Sequence, residues 1–324
     1  MFDNNPIPIT SGCENPLASI KCNPDPYVIS HDGMYYCYST GYYGVNVLRS
    51  KDLKSFEHMG FALHDESRVA YWAPAVFFYQ GLFYMYYSAI PKGETDPHKE
   101  FLQVAVSDNP LGPFVYKKTL FDEFSIDPHV VLKNGQLYLF YSVNITEGEK
   151  IGTVIMLDKL LDPFTPAYKP RLVVSPSITQ EISAKNRLGD GRDWYTIEGA
   201  FYFEHEGTGF LMYSANGFEH EDYFVGYSVC DANVLLEEAV FRKYPSEYAY
   251  NPLVGKDDFC TSCGHNSMIH GPNGELLIVY HGRSRAETPP HPGPDDGRRL
   301  CISEIKIDGE KLMLSRYERS GSND

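Results

Sequence analysis

Short apolar runs separated by polar turns recur along the whole chain. In residues 126–142, two runs rich in Val, Leu, Tyr and Phe flank the pair Asn134-Gly135. An Asn-Gly pair between two apolar runs is a strong signal for a hairpin. Residues 71–90 repeat this arrangement around Gln80-Gly81. The pattern therefore predicts a chain built from β-hairpins.

Residues 71–90 also carry no charge over a length that could span a bilayer. Pro74 and the pair Gln80-Gly81 interrupt this stretch, and its many aromatic residues favour strands over a helix. We therefore predict two strands joined by a tight turn, and we expect no association with a membrane.

The hairpins belong to a longer repeat of five units. The units start at Asp25, Ala73, Asp127, Glu198 and His265, which are separated by 48, 54, 71 and 67 residues. The second strands of the units end in similar pairs: Tyr38-Ser39, Tyr87-Ser88, Tyr141-Ser142, Tyr213-Ser214 and Tyr280-His281. Each unit has room for four short strands. The repeat predicts an all-β fold, a five-bladed β-propeller with four-stranded antiparallel blades, since ring closure buries faces that one blade would expose.

The repeat covers the chain without a stretch that looks like an interdomain linker. We therefore predict a single domain over residues 1–324, with a short polar tail at about 315–324. Two insertions, residues 175–195 and 284–298, interrupt the repeat. They are expected either beside the centre of the propeller, where functional loops gather, or as variable surface loops.

Composition and charge narrow the range of partners. Aromatic residues make up 14% of the chain, which suits half-buried sheet surfaces. The formal net charge of -15 argues against nucleic acid as a partner, because phosphate binding needs clustered Lys and Arg. A neutral ligand is compatible with such a surface.

The cysteines and the N-terminus bear on the compartment. Seven cysteines spread over the chain are an odd number and do not form the pattern of a secreted disulfide framework. Cys260 and Cys263 form a lone CxxC pair, which supports neither a zinc site nor a redox motif. The first six residues lack the basic and apolar segments of a signal peptide. These features predict reduced thiols and a cytoplasmic protein.

Three of the five unit starts are carboxylic acids. The first strand of each propeller blade lines the central channel, so Asp25, Asp127 and Glu198 are predicted to face one centre together with His265. Neighbouring carboxyls raise one another's pKa and burial adds to this, so the three will not share a protonation state. Acid–base cleavage of a sugar acetal needs such a difference. A polar channel lining without catalysis is the alternative.

Five short motifs occur in order along the chain: Asn-Pro-Asp-Pro-Tyr at 23–27, Ile-Asp-Pro-His-Val at 126–130, Tyr-Thr-Ile-Glu-Gly-Ala at 195–200, Gly-His-Asn-Ser at 264–267 and Tyr-His-Gly-Arg at 280–283. This ordered set resembles glycoside hydrolase family 43 over nearly the whole chain. The resemblance implies a five-bladed propeller that hydrolyses arabinosides or xylosides with inversion of configuration. It also implies that Asp25 is the general base, Glu198 the general acid, and Asp127 the group that tunes the acid and orients it. A nearby ionised Asp127 would help Glu198 to keep its proton near neutral pH.

The resemblance points to three further residues. It implies that His265 helps to hold a calcium ion, largely through water, although calcium prefers oxygen ligands and a core histidine is the alternative. Arg283 matches the site arginine, which would hold Asp127 or Glu198 and contact sugar hydroxyls; a surface arginine is the alternative. Trp72 is placed like a sugar-stacking residue, or it packs in the core. No organic cofactor is expected.

Given this resemblance, we predict an inverting exo-glycoside hydrolase that releases terminal α-L-arabinofuranosyl residues from arabinan or arabinoxylan oligosaccharides. A β-D-xylosidase, or an enzyme with both activities, is the alternative, because the same three acids serve both. Retaining five-bladed fructosidases place an Asp before Pro-Asn-Gly, whereas Asp25 precedes Pro26-Tyr27. A sugar-binding propeller without catalysis is disfavoured by the intact set of acids.

Overall fold

A computed structural model describes residues 7–8, 22–285 and 297–315 of the chain. Within these ranges the protein is all β, with strands β1 to β23 and two short 3-10 helices, Pro97–Lys99 and Thr179–Glu181. In this part of the chain no helix is long and apolar enough to cross a membrane. The predicted polar tail beyond Ser315 and most of the second insertion lie outside the described residues.

The first two units form separate antiparallel sheets of four strands. The first sheet contains β2 (Tyr27–His31), β3 (Met34–Ser39), β4 (Val45–Ser50) and β5 (Glu57–Leu63). The second contains β6 (Arg68–Tyr79), β7 (Leu82–Pro91), β8 (Phe101–Ser107) and β9 (Val115–Thr119). In both sheets each strand pairs with the next along the chain. The hairpin predicted in residues 71–90 is therefore confirmed as β6 and β7.

The third and fourth units share one ten-stranded sheet, so the prediction of separate four-stranded sheets is wrong here. Its strands are β10 (Ile126–Lys133), β11 (Gln136–Ile145), β12 (Ile151–Asp162), β13 (Thr165–Pro166), β14 (Arg171–Val174), β15 (Ile182–Ala184), β16 (Trp194–His205), β17 (Thr208–Ala215), β18 (Phe224–Asp231) and β19 (Arg242–Lys243). The two halves join where Gly152 of β12 pairs in parallel with Tyr195 of β16. A Cβ atom at Gly152 would lie 1.8 Å from the carbonyl oxygen of Tyr195, so this join requires glycine.

The last unit contains both ends of the described chain. Its strands are β20 (Cys260–His270), β21 (Leu276–Ser284), β22 (Arg298–Asp308) and β23 (Lys311–Ser315). The N-terminal strand β1 (Ile7–Pro8) pairs with β22, where Ile7 lies opposite Ile302. The first and last strands therefore meet in one sheet.

Two-residue turns close the first hairpin of four units. In each turn both residues have positive φ: Asp32-Gly33, Gln80-Gly81, Asn134-Gly135 and Glu206-Gly207. Such a turn twists in the same sense as the strands that it joins. Glycine occupies the second place every time because it adopts positive φ without steric cost. The hairpin pattern read from the sequence follows from this local chemistry.

The first strands of successive units contact one another in a closed cycle: β2 with β6, β6 with β10, β10 with β16, β16 with β20, and β20 with β2. Apolar clusters lie between neighbouring sheets, and one of them joins Phe210 and Val225 of the fourth unit to Ile278 and Tyr280 of the fifth. The recurring tyrosines at the ends of the second strands belong to such clusters: Tyr38, Tyr87, Tyr141, Tyr213 and Tyr280. The apolar residues therefore hold the sheets together and leave the first strands around a common centre.

Candidate active site

A cavity of about 150 Å³ lies at the ends of the first strands. Its lining residues are Asp25, Thr40, Trp72, Ile126, Asp127, Glu198, Phe218, Tyr223, His265 and Arg298. Five of the six predicted site residues are among them. The sixth, Arg283, lies outside this lining.

A backbone kink recurs where the first strands reach the cavity. Asp25, Ala73, Asp127 and His265 have φ values of 53°, 42°, 56° and 51°, and Gly199 has 64°. In the second to fifth units the kink coincides with a shift in register between the first and second strands. Such irregularities re-aim side chains, and positive φ at residues other than glycine is strained and typical of functional positions.

The kink also reveals how the units align. In the fourth unit the kinked residue is Gly199, so Glu198 stands one position earlier than Asp25 and Asp127. Its counterparts are Trp72 and Ile126, which directly precede the kink in their own units. The prediction that the three acids occupy equivalent points is therefore wrong for Glu198. Because neighbouring positions of a strand point in different directions, Glu198 approaches the cavity from another side.

Asp25 is held by a dense set of polar contacts. The hydroxyl of Thr40 donates a hydrogen bond of 2.6 Å to Oδ2, and a guanidinium nitrogen of Arg298 lies 3.1 Å from Oδ1. Nδ1 of His265 and Nδ1 of His281 each lie 3.4 Å from the same Oδ1. Burial raises the pKa of Asp25, but these neighbours, Arg298 first, outweigh it and hold the pKa well below its usual range. Asp25 is therefore ionised and suited to act as a base.

Glu198 has the opposite character. Burial raises its pKa to about 7, and the negative charge of Asp25 contributes to the rise. The hydroxyl of Tyr223 donates a hydrogen bond of 2.8 Å to Oε1, which favours the ionised form and limits the rise. Glu198 therefore keeps a proton near neutral pH and is suited to act as an acid.

Asp127 shares the buried space with Glu198. Its Oδ2 accepts a hydrogen bond of 3.1 Å from the backbone N–H of Gly199, directly beside Glu198. Burial, and next the charges of Glu198 and Asp25, raise the pKa of Asp127 well above its usual range. We expected an ionised Asp127 to raise the pKa of Glu198, yet burial is the largest cause there. The two carboxyls resist ionising together at neutral pH.

Two histidines lie against Asp25. The backbone N–H of Asp25 donates a hydrogen bond of 3.2 Å to Nδ1 of His281. Burial lowers the pKa of His281 to about 4, and burial also lowers the pKa of His265. Because both rings are then neutral near pH 7, Arg298 is the cation that stabilises the Asp25 carboxylate.

The surroundings of His265 test the predicted calcium site. Over residues 22–285 and 297–315, no group of three or more His, Cys, Asp or Glu side chains is arranged to hold a metal ion. The carboxylate beside His265 is that of Asp25, which is already paired with Arg298. Calcium takes about six to eight oxygen ligands. The described side chains do not fit a calcium ion bound directly by the protein.

The site arginine differs from the one that we predicted. Arg283 donates a hydrogen bond of 2.5 Å to the carbonyl oxygen of Phe218, whereas Arg298 lies on Asp25 and stacks over the ring of Phe218 at 4.5 Å. The two arginines face each other across β21 and β22. Arg298 is the last residue of the second insertion and lies outside the Tyr-His-Gly-Arg motif, which contains Arg283.

Thr40 and Tyr223 are functional candidates that the sequence reading missed. Thr40 directly follows the first Tyr-Ser pair, which was a signal that could have placed it near the centre. The ring of Tyr223 stacks on His281, with 5.7 Å between the ring centroids and 8° between the planes. A Cβ atom at Gly264 would lie 2.0 Å from the Tyr223 ring, so glycine makes room for the tyrosine that contacts Glu198.

The first insertion packs into the fold. Trp194 at its end is buried, and the guanidinium of Arg187 lies 4.5 Å from its ring centroid. Glu181 is fully buried and paired with Lys243 at 2.5 Å. Trp72, the other tryptophan, lines the cavity and is partly exposed. Of the two, Trp72 is the one available for contact with a ligand.

An ionised carboxylate and a protonated carboxyl on one small cavity can serve as the base and the acid that the hydrolysis of a glycosidic bond needs. A family model described as "Glycosyl hydrolases family 43" matches residues 13–311. The chain belongs to this family.

Known proteins similar to this chain include arabinofuranosidases. An enzyme of Streptomyces avermitilis named extracellular exo-alpha-(1->5)-L-arabinofuranosidase is 24% identical over 90% of this chain and 60% of its own length. A Streptomyces chartreusis enzyme of the same name is 26% identical over 85% of this chain and 83% of its own. This chain thus spans only about three fifths of the Streptomyces avermitilis enzyme.

Solved structures share the fold over most of its length. A thermostable family-43 glycoside hydrolase is 30% identical, with a TM-score of 0.74 over 92% of this chain and 94% of its own. An endo-1,4-beta-xylanase from Bacteroides thetaiotaomicron is 25% identical, with a TM-score of 0.72 over 91% of this chain and 94% of its own. Both arabinoside- and xyloside-cleaving enzymes are therefore among the similar proteins.

The prediction of a cytoplasmic location is wrong by this comparison, since both Streptomyces relatives are extracellular by name. The prediction depended partly on the cysteines. All six cysteines among the described residues are free and buried. A buried thiol is inert and persists in an oxidising compartment, so unpaired cysteines do not identify the cytoplasm.

Proposed function

We propose that this protein is an inverting exo-glycoside hydrolase that releases terminal α-L-arabinofuranosyl residues from arabinan or arabinoxylan oligosaccharides. The observation that supports this most directly is the pairing, at one cavity, of Asp25 with a lowered pKa and Glu198 with a pKa raised to about 7. The hydrolysis of a sugar acetal needs an ionised base and an acid that keeps its proton. The names of the two Streptomyces relatives support the arabinofuranosyl specificity.

In the proposed mechanism Asp25 takes a proton from a water molecule as the water oxygen bonds to the anomeric carbon. Glu198 gives its proton to the glycosidic oxygen as the bond to the leaving group breaks, so the new sugar hydroxyl has inverted configuration. Asp127 transfers no proton; it binds the backbone beside Glu198 and orients the acid. We expect the Asp25 and Glu198 carboxyls to lie about 6.5 to 9.5 Å apart, which leaves room for the water.

We infer that the architecture is a five-bladed β-propeller. The closed cycle of contacts among the five first strands supports this, as does the likeness to the family-43 hydrolase. The ten-stranded sheet then counts as two blades joined through β12 and β16. A single catalytic domain over residues 1–324 stays a prediction.

A β-D-xylosidase is the second candidate function. The likeness to the Bacteroides thetaiotaomicron xylanase, at 25% identity, is the observation that favours it. Both activities would use Asp25 and Glu198 in the same way, and the walls formed by Trp72 and Phe218 would decide between the two sugars.

The setting of the reaction is also a proposal. The extracellular names of the Streptomyces relatives support action outside the cell on neutral oligosaccharides.

A calcium ion at His265 also stays a prediction, and water would have to supply most of its ligands. Elemental analysis of protein dialysed against calcium would find about one equivalent per chain if that prediction is correct.

A side-by-side assay tests the function. We expect turnover of an aryl α-L-arabinofuranoside and of linear arabinan to exceed that of an aryl β-D-xylopyranoside, with the β-anomer of arabinofuranose formed first by nuclear magnetic resonance. Preference for the xyloside would favour the second candidate. A first-formed anomer with retained configuration would reject the mechanism.

Conservative variants test the two roles. Asp25→Asn and Glu198→Gln should each lower kcat by about two to four orders of magnitude. A substrate with a dinitrophenyl leaving group needs no acid, so it should restore turnover in Glu198→Gln and leave Asp25→Asn inactive. Equal responses of the two variants to this substrate would contradict the assignment.

A further inference from the structure

The loop that follows β3 connects Asp25 to two exposed aromatic rings. At its start, Thr40 donates to Asp25 and accepts a hydrogen bond of 2.8 Å from the backbone N–H of Ala73. Two residues later, Tyr42 and Tyr43 are 54% and 61% exposed, with ring centroids 4.9 Å apart and planes at 89°. This aromatic pair therefore lies two and three residues along the chain from Thr40, which contacts the proposed base.

The loop is fixed at both sides, so the two rings have a defined position. Gly41 and Tyr71 exchange two backbone hydrogen bonds, of 3.0 and 2.9 Å, and the N–H of Ala70 donates to the carbonyl of Tyr42 at 2.7 Å. A ring nitrogen of His64 lies 2.6 Å from the carbonyl oxygen of Tyr43. Exposed aromatic rings on a pinned backbone lose little conformational entropy when a ligand binds.

The loop that carries the pair is hydrogen-bonded to β6, the strand that contributes Trp72 to the cavity. Tyr71, which anchors the loop, directly precedes Trp72, and Trp72 lines the cavity. A cavity that is small enough to hold one terminal sugar leaves the other sugar units of an oligosaccharide outside it. The protein has a net charge of -15, which repels anionic polymers, whereas rings with an apolar face and a hydroxyl tip suit a neutral sugar chain.

We propose that Tyr42 and Tyr43 form a binding subsite for the sugar units on the leaving-group side of the cleaved bond. One ring stacks on the face of a sugar and the other, nearly perpendicular, borders its edge. The subsite makes the enzyme prefer chains to disaccharides. This inference deepens the proposed function and rests on it.

Chain-length dependence tests the subsite. We measure kcat/KM for arabino-oligosaccharides of two to six units with the wild-type protein, Tyr42→Ala, Tyr43→Ala and the double variant. The hexasaccharide-to-disaccharide ratio should exceed unity in the wild type and fall about tenfold in the double variant, because two stacking contacts are lost. Tyr42→Phe and Tyr43→Phe should keep most of the ratio, since stacking uses the ring.

Tyr248→Ala is the matched control. Tyr248 is 84% exposed and follows β19, the last strand of the ten-stranded sheet, so its removal should leave the ratio unchanged. Equal losses on short and long substrates in the double variant, or a wild-type ratio near one, would overturn the subsite. A change of oligomeric state in the double variant by sedimentation would overturn it too, because the rings would then serve a second copy of the chain.

The subsite and the proposed function can fail separately. If the wild type cleaves xylosides and not arabinosides, the arabinofuranosidase proposal fails, and the same ratio is measured with xylo-oligosaccharides. A ratio that depends on Tyr42 and Tyr43 in that series upholds the subsite, and one that does not overturns it.

Discussion

Arg298 donates a hydrogen bond of 3.1 Å to Oδ1 of Asp25, so a permanent cation is paired with the proposed base at the wall of the cavity. The same guanidinium stacks on Phe218, which keeps it in place. The pair explains how a carboxylate can stay ionised next to two other acids, where burial alone would protonate it.

Removal of this cation should move the acid limb of the pH–rate profile. Because Arg298 lowers the pKa of Asp25, Arg298→Ala should raise it, so the acid limb of kcat/KM shifts up by about one to two pH units. The measurement is kcat/KM from pH 3 to pH 9 with an aryl glycoside. Arg283→Ala is the control, since Arg283 binds a backbone carbonyl, and its acid limb should stay in place. Identical shifts in both variants would refute the role of Arg298.

The basic limb should respond to Tyr223. Its hydroxyl stabilises the ionised form of Glu198 and so limits the pKa of that acid. Tyr223→Phe removes the hydrogen bond and keeps the ring, so the pKa of Glu198 should rise and the basic limb should move to higher pH. The same pH series measures this shift. A basic limb that moves to lower pH would contradict the assignment of Glu198 as the acid.

Ionisation of Glu198 should also destabilise the folded protein. Its pKa in the folded protein, about 7, exceeds the ordinary value of 4.5, so the folded state binds the extra proton and stability falls as pH rises between these values. Glu198→Gln stays neutral, so its free energy of unfolding relative to wild type should be higher by about 3 kcal/mol at pH 8 than at pH 4. Urea unfolding at both pH values measures the difference. If the variant differs from wild type by the same free energy of unfolding at pH 4 and at pH 8, Glu198 is not the titrating group.

Much of this fold was predictable because its signals are local. A two-residue turn with glycine at its second place, such as Asn134-Gly135, is specified by the residues of the turn itself. The Tyr-Ser pairs mark buried second strands in the same way, since Tyr38 and Tyr87 pack between sheets. The single sheet formed by the third and fourth units was not predictable, because it depends on a pairing between Gly152 and Tyr195, the last residue of the first insertion.

The site was predictable only as far as the acids. When the units are aligned by their acids, Glu198 is equivalent to Asp127. When they are aligned by the kinked residue, Gly199 is equivalent to Asp127, and Glu198 is one position earlier. The prolines offered that signal, since Pro26, Pro74 and Pro128 each follow a kinked residue. Arg298 gave no comparable signal, because its contact joins it to Asp25, a residue far away along the chain.

The glycine behind Tyr223 provides the last test. A Cβ atom at Gly264 would lie 2.0 Å from the Tyr223 ring, so Gly264→Ala should push the ring away from Glu198. Overpacking of a buried site costs about 1 to 3 kcal/mol, and the basic limb should move as in Tyr223→Phe. Gly255→Ala is the matched control, because its Cβ would meet only Pro252 at 3.6 Å.

Thermal unfolding and the pH series measure both glycine variants. If the strain lies between these two residues, Tyr223→Ala should relieve it, so the destabilisation by Gly264→Ala should be much smaller in the Tyr223→Ala background. Additive effects of the two changes would mean that Gly264 is required for another reason, and the proposed support of Glu198 through Gly264 would then fail.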